Sequence, residues 1–162
     1  MRAFDRRVLW IMVLVLAGSG CSREGPVPDE LTIYSIDGRS YLDRPQDEPS
    51  PVGGETFHGF PILGKVAITD RGERRKVWAA IQDGMSGSDG QMAKCFRPRH
   101  GVRVVEGGKV VDYVVCFECF RVDIHTGEQT EIRGITRDAQ PILDRHLTAA
   151  GVPLVPKPAV SR

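Results

Sequence analysis

Three cysteines and a histidine are the residues of this chain whose types and spacing could do chemistry. Four residues separate Cys95 from His100, and two separate Cys116 from Cys119. Sulfur and imidazole groups form disulfides, bind zinc, or act together as nucleophile and base. The spacing leaves three interpretations open, and each predicts a different state for the sulfur atoms.

A disulfide is the first interpretation. Cys95 would pair with Cys116 or Cys119, and the remaining thiol would pack as a small apolar group. Paired cysteines are common in chains that leave the cytoplasm, which the N-terminal segment of this chain predicts. This interpretation requires no cofactor.

A zinc site is the second interpretation. Cys95, His100, Cys116 and Cys119 together supply three thiolates and one imidazole, and His125 is a possible substitute for His100. This ligand set is typical of tetrahedral zinc. The sequence would then predict zinc as a bound cofactor.

A thiol-dependent enzyme is the third interpretation. Positive charge around Cys95 would favour its thiolate, and His100 could serve as the base. The cationic neighbours of Cys95 in the sequence are Lys94, Arg97, Arg99 and Arg103. Reactive thiols commonly lie at the start of a helix, and no helix start is evident at Cys95 or Cys116. We therefore assign no catalytic residue from the sequence.

The basic run around Arg97, Arg99 and His100 also predicts a possible anion site. Two guanidinium groups and an imidazole could hold a carboxylate or a phosphate. The alternative is a solvated entrance to a strand, with Arg97 or Arg99 lying beside Glu118.

The N-terminal segment has the pattern of an export signal over residues 1–20. Three arginines precede an apolar run, and small residues lead to Cys21. The ending Leu-Ala-Gly-Ser-Gly-Cys resembles the lipobox of bacterial lipoproteins, although Gly18 stands where leucine is usual. That resemblance implies that Cys21 is acylated and that residues 21–30 tether the domain to a membrane.

The resemblance implies a location in the bacterial cell envelope, anchored by lipid and facing the periplasm. Ser22 is not the aspartate that marks inner-membrane retention in enteric lipoproteins, so the outer membrane is favoured. Residues 22–162 contain 19 basic and 20 acidic side chains. This balance argues against a nucleic-acid partner, because such proteins usually have a basic excess.

The patterning of the chain predicts an α+β fold over residues 31–151, with a long loop at 39–56 and a proline-rich tail at 152–162. We expect an antiparallel sheet of about five strands with two helices packed on one face. The predicted strands are residues 31–36, 57–68, 102–106, 110–124 and 129–135.

Residues 110–124 are predicted to form the central strand. Bulky residues occupy odd positions before Cys116 and even positions after Cys119, so the alternation changes phase between them. An extra residue in the strand, a β-bulge, would restore a single core face. Both cysteines would then point to the same side of the sheet.

One hairpin can be registered from the sequence. Gly107-Gly108 suits a two-residue type I′ turn, which pairs the flanking residues in order. The opposite-charge pairs that this register produces are Glu106–Lys109 and Arg103–Asp112.

Two helices are predicted beside this sheet. Thr69 or Asp70 can cap a helix that ends at Gly84. Asp138 can cap a second helix that is stopped by Gly151.

The function expected from the sequence is a membrane-anchored envelope protein with a non-catalytic binding or structural domain. Its partner would be an unknown envelope protein or a small ligand. A zinc-binding module and a thiol-dependent enzyme are the alternatives.

Overall fold

The computed structural model of the protein describes residues 26–39 and 54–155. They form seven antiparallel strands in the order β2-β3-β1-β4-β5-β6-β7 and two helices. The elements in chain order are β1 (Glu30–Ile36), β2 (Thr56–Phe57), β3 (Phe60–Ala67), α1 (Arg71–Ser86), β4 (His100–Glu106), β5 (Lys109–Cys116), β6 (Arg121–Thr126), β7 (Gln129–Gly134) and α2 (Gln140–Ala149). The α+β class is confirmed, and the prediction of about five strands is wrong.

The two additional strands arise because two stretches predicted as single strands are hairpins. Residues 57–68 reverse direction at His58 and Gly59, whose φ angles of 49° and 84° are both left-handed. Phe57 pairs with Phe60 across this two-residue turn. Two successive left-handed residues are what a type I′ turn requires.

Residues 110–124 likewise form β5 and β6, joined by a turn at 117–120, and the predicted β-bulge is wrong. The amide N–H of Cys119 donates to the carbonyl of Cys116, and that of Phe120 donates to the carbonyl of Phe117. Phe120 has a φ of 53°, which costs a non-glycine residue about 1 kcal/mol or more. A turn at this place shifts the alternation of bulky residues in the same way as a β-bulge. The sequence pattern therefore did not distinguish a turn from a bulge.

The hairpin between β4 and β5 has the predicted register. Gly107 and Gly108 have φ angles of 55° and 77°, and Glu106 lies opposite Lys109. Arg103 lies opposite Asp112 and donates to it from Nε and Nη2, each over 2.8 Å. The turn glycines and the charge pairs therefore determined this part of the fold.

Both helices contribute to one hydrophobic core on one face of the sheet. The strands supply alternate residues to it, as a half-buried sheet requires. The strand residues of this core include Leu31, Ile33, Val102, Val104, Tyr113, Val115 and Val122. The helix residues include Val77, Trp78 and Ile81 of α1 and Leu143 and Leu147 of α2.

One end of each helix follows the predicted local chemistry. Of the two predicted caps, Asp70 is the one that caps α1, accepting a hydrogen bond of 2.8 Å from the amide of Glu73. The predicted end at Gly84 is wrong, because the helix runs two residues further, to Ser86.

Gly151 follows α2 with a left-handed φ of 70°, and the amide of Val152 donates to the carbonyl of Leu147 over 2.9 Å, so the predicted stop at Gly151 is confirmed. The prediction of Asp138 as a cap is wrong. The N-cap of α2 is Ala139, and Asp138 accepts a hydrogen bond from the Thr136 hydroxyl.

The other face of the sheet, which we call the open face, carries a second and smaller apolar cluster. Phe57 stacks on Tyr34 with ring centroids 4.5 Å apart. Its ring also covers Gly101 of β4, where a Cβ atom would lie 2.7 Å from the ring. Phe57 belongs to the edge strand β2, so the sheet curls and brings its edge over its centre.

The ends of the domain are only partly described. The export signal at 1–20, Cys21 and residues 40–53 of the loop lie outside the described residues. Asp29, in the predicted tether, accepts a hydrogen bond from the amide of Gly107. In the predicted tail, the Pro153 carbonyl accepts one from the Ser35 hydroxyl. No helix in the described ranges has the length and apolar character needed to cross a bilayer.

Candidate functional site: a three-cysteine centre

The turn between β5 and β6 brings two cysteines together. Cys116 ends β5, Cys119 lies within the turn, and their sulfur atoms are at disulfide-bonding distance. Both residues are about 1% exposed. The turn is also held by Arg137, whose Nε donates to the carbonyl of Phe117 over 3.2 Å.

The segment between α1 and β4 brings the third cysteine to this turn. The amide of Ala93 donates to the carbonyl of Cys119 over 2.9 Å. Two residues later, the sulfur of Cys95 lies 3.7 Å from the sulfur of Cys119. Cys95 is an exposed, free cysteine. The three sulfur atoms therefore form one cluster, with a buried pair and an exposed thiol.

The pairing within this cluster differs from the expected one. The sequence interpretation joined Cys95 to Cys116 or Cys119, and the structure instead joins Cys116 to Cys119. The physical reason is the turn, which puts residues separated by three positions at a Cα–Cα distance of 5.3 Å. That distance is in the range typical of disulfides.

Two arginine side chains near the turn are each paired with a carboxylate. Arg121 is the cross-strand neighbour of Cys116. Its guanidinium group covers the ring of Phe96 at 4.3 Å and donates to both carboxylate oxygens of Asp123. Arg99 lies beside Glu118, with a nitrogen–oxygen distance of 3.3 Å.

His100 does not join the sulfur atoms. It is buried, and its Nε2 is 2.7 Å from a carboxylate oxygen of Asp144 on α2. Its ring meets that of Phe117 edge-on, with centroids 5.3 Å apart. Among the residues that the structure describes, no group of three or more His, Cys, Asp or Glu side chains is arranged to hold a metal ion. The ligand set of Cys95, His100, Cys116 and Cys119 is thus not assembled.

The predicted anion-site residues do come together, around a very small cleft. Arg97, Arg99 and His100 line it together with Phe117, Glu118 and Gln140. Its volume is about 10 Å³, which is room for about one water molecule. The carboxylate of Glu118 already lies against Arg99.

A second polar cluster on the open face was missed by the sequence analysis. His58 contacts Asp112 and stacks on His125, and Asp112 is held by Arg103. The sequence analysis predicted the contact between Arg103 and Asp112 but did not place a histidine beside it. His58 could be linked to it only by recognising His58-Gly59 as the turn of a hairpin that folds over the sheet.

A groove on the helix face was also missed. It lies between α1 and the β4–β5 hairpin and has a volume of about 370 Å³. Its lining residues are Trp78, Val104, Glu106, Gly107, Lys109, Val111 and Tyr113. Tyr113 is the aromatic residue on the side of the groove that the sheet forms, and burial raises the pKa of its hydroxyl group.

Comparison of this chain with protein-family models, with curated proteins and with solved structures finds no match.

Proposed function

We propose that this protein is a thiol–disulfide exchange protein, tethered by lipid at Cys21 in the bacterial envelope. The observation that carries the proposal is the exposed thiol of Cys95, 3.7 Å from one sulfur of a buried cysteine pair. A disulfide is broken by a thiolate that attacks one of its sulfur atoms. Cys95 is within van der Waals distance of such an atom.

The first step is internal. The Cys95 thiolate attacks the sulfur of Cys119, forming a Cys95–Cys119 bond. The bond between Cys119 and Cys116 breaks, and its electron pair leaves with Cys116 as a thiolate.

The second step involves an external thiol, which the buried pair cannot meet directly because it is about 1% exposed. An external thiolate attacks Cys95 and releases Cys119 as a thiolate. A second external thiolate then attacks the external sulfur bound to Cys95, the bond to Cys95 breaks, and Cys95 leaves as a thiolate. Two external thiols have become one disulfide, and Cys116 and Cys119 have become thiols. Cys95 thus carries the oxidising equivalent from the interior to the surface.

The expected location fits this chemistry. Disulfides persist outside the cytoplasm, where the N-terminal segment is predicted to send the chain. A substrate in that compartment would be a protein or peptide with free cysteines.

The proposal is tested by reacting the full-length, oxidised protein with a peptide that carries two cysteines. We expect one peptide disulfide per chain, and at least about tenfold slower reaction for Cys95→Ser. Ala93→Ser, which places the same residue in the same exposed segment, should react as the natural chain does. Equal rates for Cys95→Ser and the natural chain would refute the role of Cys95.

Thiol counting and elemental analysis of the same preparation provide an independent check. If Cys116 and Cys119 are paired and Cys95 is exposed, we expect one thiol to become labelled without denaturant and no metal to be found. Three thiols with about one zinc per chain would instead support the zinc-binding module.

A second candidate function is binding of a small ligand, the class first expected from the sequence. The groove beside Trp78 favours it, because its 370 Å³ volume falls within the range of small-molecule sites and its walls are largely apolar. An apolar dye titrated against the protein should quench tryptophan fluorescence. Val111→Lys should abolish that quenching, whereas Val110→Lys, on the neighbouring exposed position, should not.

A further inference from the structure

The polar cluster on the open face contains a histidine whose proton position is determined by its partner. His58 lies at the tip of the β2–β3 hairpin, and its Nε2 is 2.8 Å from Oδ2 of Asp112. Asp112 is 5% exposed and also accepts two hydrogen bonds from Arg103. Burial alone would raise the pKa of Asp112, but the hydrogen bonds from Arg103 and His58 outweigh burial and lower it.

Asp112 is therefore ionised at neutral pH and can only accept hydrogen bonds. The proton of His58 must lie on Nε2, which leaves Nδ1 without a partner among the described residues. His58 has 28% of its side chain exposed, so part of its ring is accessible from solvent.

His125 lies directly against His58. The two rings are nearly parallel, with centroids 3.8 Å apart and an interplanar angle of 13°. Nδ1 of His125 is 2.9 Å from the hydroxyl of Thr130, and Nε2 has no partner within residues 26–39 and 54–155. Burial lowers the pKa of His125, and the positive charge of a protonated His58 lowers it further.

The parallel arrangement excludes one ligand class and favours another. A metal ion must lie close to the plane of each imidazole that binds it, because the nitrogen lone pair lies in the ring plane. One ion cannot lie in two parallel planes 3.8 Å apart. An oxyanion has several separate oxygen atoms, so each ring can donate to a different one.

We propose that His58 and His125 form a binding site for a tetrahedral oxyanion, a phosphate or sulfate group, and that binding is coupled to proton uptake by this pair. Without the anion, two positive charges at this distance repel each other. A bound dianion compensates both charges, so both rings become donors. Binding therefore tightens as the pH falls through the histidine range.

The charges around the pair are nearly balanced apart from the histidines themselves. Arg103 on β4 neutralises Asp112 on β5, with both carboxylate oxygens engaged. On β6, Arg121 neutralises Asp123 in the same way. The charge that responds to the anion is therefore that of the two imidazoles.

The test is titration of the full-length protein with inorganic sulfate, whose charge is constant between about pH 5 and pH 8. NMR signals of His58 and His125 report both binding and protonation. We expect sulfate to shift the ring signals of both histidines and to bind more tightly by up to about tenfold for each pH unit and each proton taken up.

Matched variants assign the effect to this pair. His58→Gln and His125→Gln should each weaken sulfate binding by about tenfold or more. His146→Gln changes a histidine of α2, on the helix side of the sheet, and should bind as the natural chain does. Unchanged binding in both His58→Gln and His125→Gln, or a sulfate affinity independent of pH, would overturn the proposal.

Two further titrations distinguish a free anion from a lipid headgroup as the ligand. Inorganic phosphate tests a free anion, and phosphatidylcholine vesicles that contain phosphatidic acid test a lipid headgroup. Binding in either arm that requires His58 supports the site and identifies its ligand. Failure of sulfate, phosphate and vesicles together would refute it, while leaving the cysteine chemistry untouched.

Discussion

The buried carboxylate of Asp112 provides the sharpest test of the open-face geometry. Asp112→Asn keeps the size of the side chain and removes its charge. The carboxylate accepts hydrogen bonds from two nitrogens of Arg103 and one of His58, each over 2.8 Å. Asparagine has one acceptor oxygen, so its amide N–H₂ would face a donor of Arg103 or His58.

The expected loss of stability depends on how exposed Arg103 and His58, the partners of Asp112, are. Hydrogen bonds to a charged group contribute about 1.5–3 kcal/mol each when they are buried. Arg103 has 44% of its side chain exposed, so water replaces much of the hydrogen bonding that its guanidinium group loses. One hydrogen bond to the amide oxygen survives. We therefore expect Asp112→Asn to lower the free energy of unfolding by about 2 kcal/mol at neutral pH.

The pH dependence has a definite sign. The pKa of Asp112 is lowered from its ordinary value of 3.8 in the folded protein, because the bonds from Arg103 and His58 outweigh burial. The stabilisation is therefore complete above pH 3.8 and is lost as the pH falls through the lower, folded pKa. The difference between the natural chain and Asp112→Asn should shrink as the pH falls below 3.8.

Urea unfolding followed by circular dichroism at about pH 7, 5 and 3 measures this difference. Asp83→Asn is the control, since Asp83 is exposed on α1 and its carboxylate has no hydrogen-bond partner in the described part of the chain. Its effect should stay within about 0.5 kcal/mol. A loss below that level for Asp112→Asn, or one that persists unchanged at about pH 3, would refute the reasoning.

Two further predictions concern the open face and the first helix. Gly101→Ala should lower the free energy of unfolding by about 1–3 kcal/mol, because the added Cβ lies 2.7 Å from the ring of Phe57. Gly54→Ala, with no atom within 4 Å of its Cβ, should have little effect, and equal losses in thermal melts would contradict the packing described. Asp70→Ala should cost about 1 kcal/mol through loss of the helix cap, and Thr69→Ala less than about 0.5 kcal/mol in the same assay. The reverse order would identify Thr69 as the cap.

Hairpin prediction succeeded where the turn residues require a particular backbone. Gly107 and Gly108 both adopt left-handed angles that glycine alone tolerates readily, so the register of β4 and β5 follows from the sequence. It failed at Phe120, which is left-handed without being glycine. The strain there is offset by tertiary contacts, since Ile135 donates to its carbonyl and Arg137 covers its ring at 4.7 Å.

The sulfur chemistry depended on that same turn. The sequence placed Cys116 and Cys119 three positions apart and could not exclude that a continuous strand contains both. Reversal of the chain at 117–120 brings those two sulfurs together and buries them. The backbone bond from Ala93 to Cys119 then positions Cys95 beside the pair. The turn spans only three positions, whereas the contact that positions Cys95 joins segments 24 positions apart.

By itself, the sequence determined the α+β class, the β4–β5 register and the start of α1 after Thr69 or Asp70, because each depends on neighbouring residues or on one turn. Only the tertiary structure decided which cysteines pair and that His58 meets His125. The two histidines are 67 positions apart in the sequence. The two cysteines are brought together by a turn that no glycine or proline marks. Their geometry is set by curling of the sheet and burial of its two apolar clusters, which no local pattern specifies.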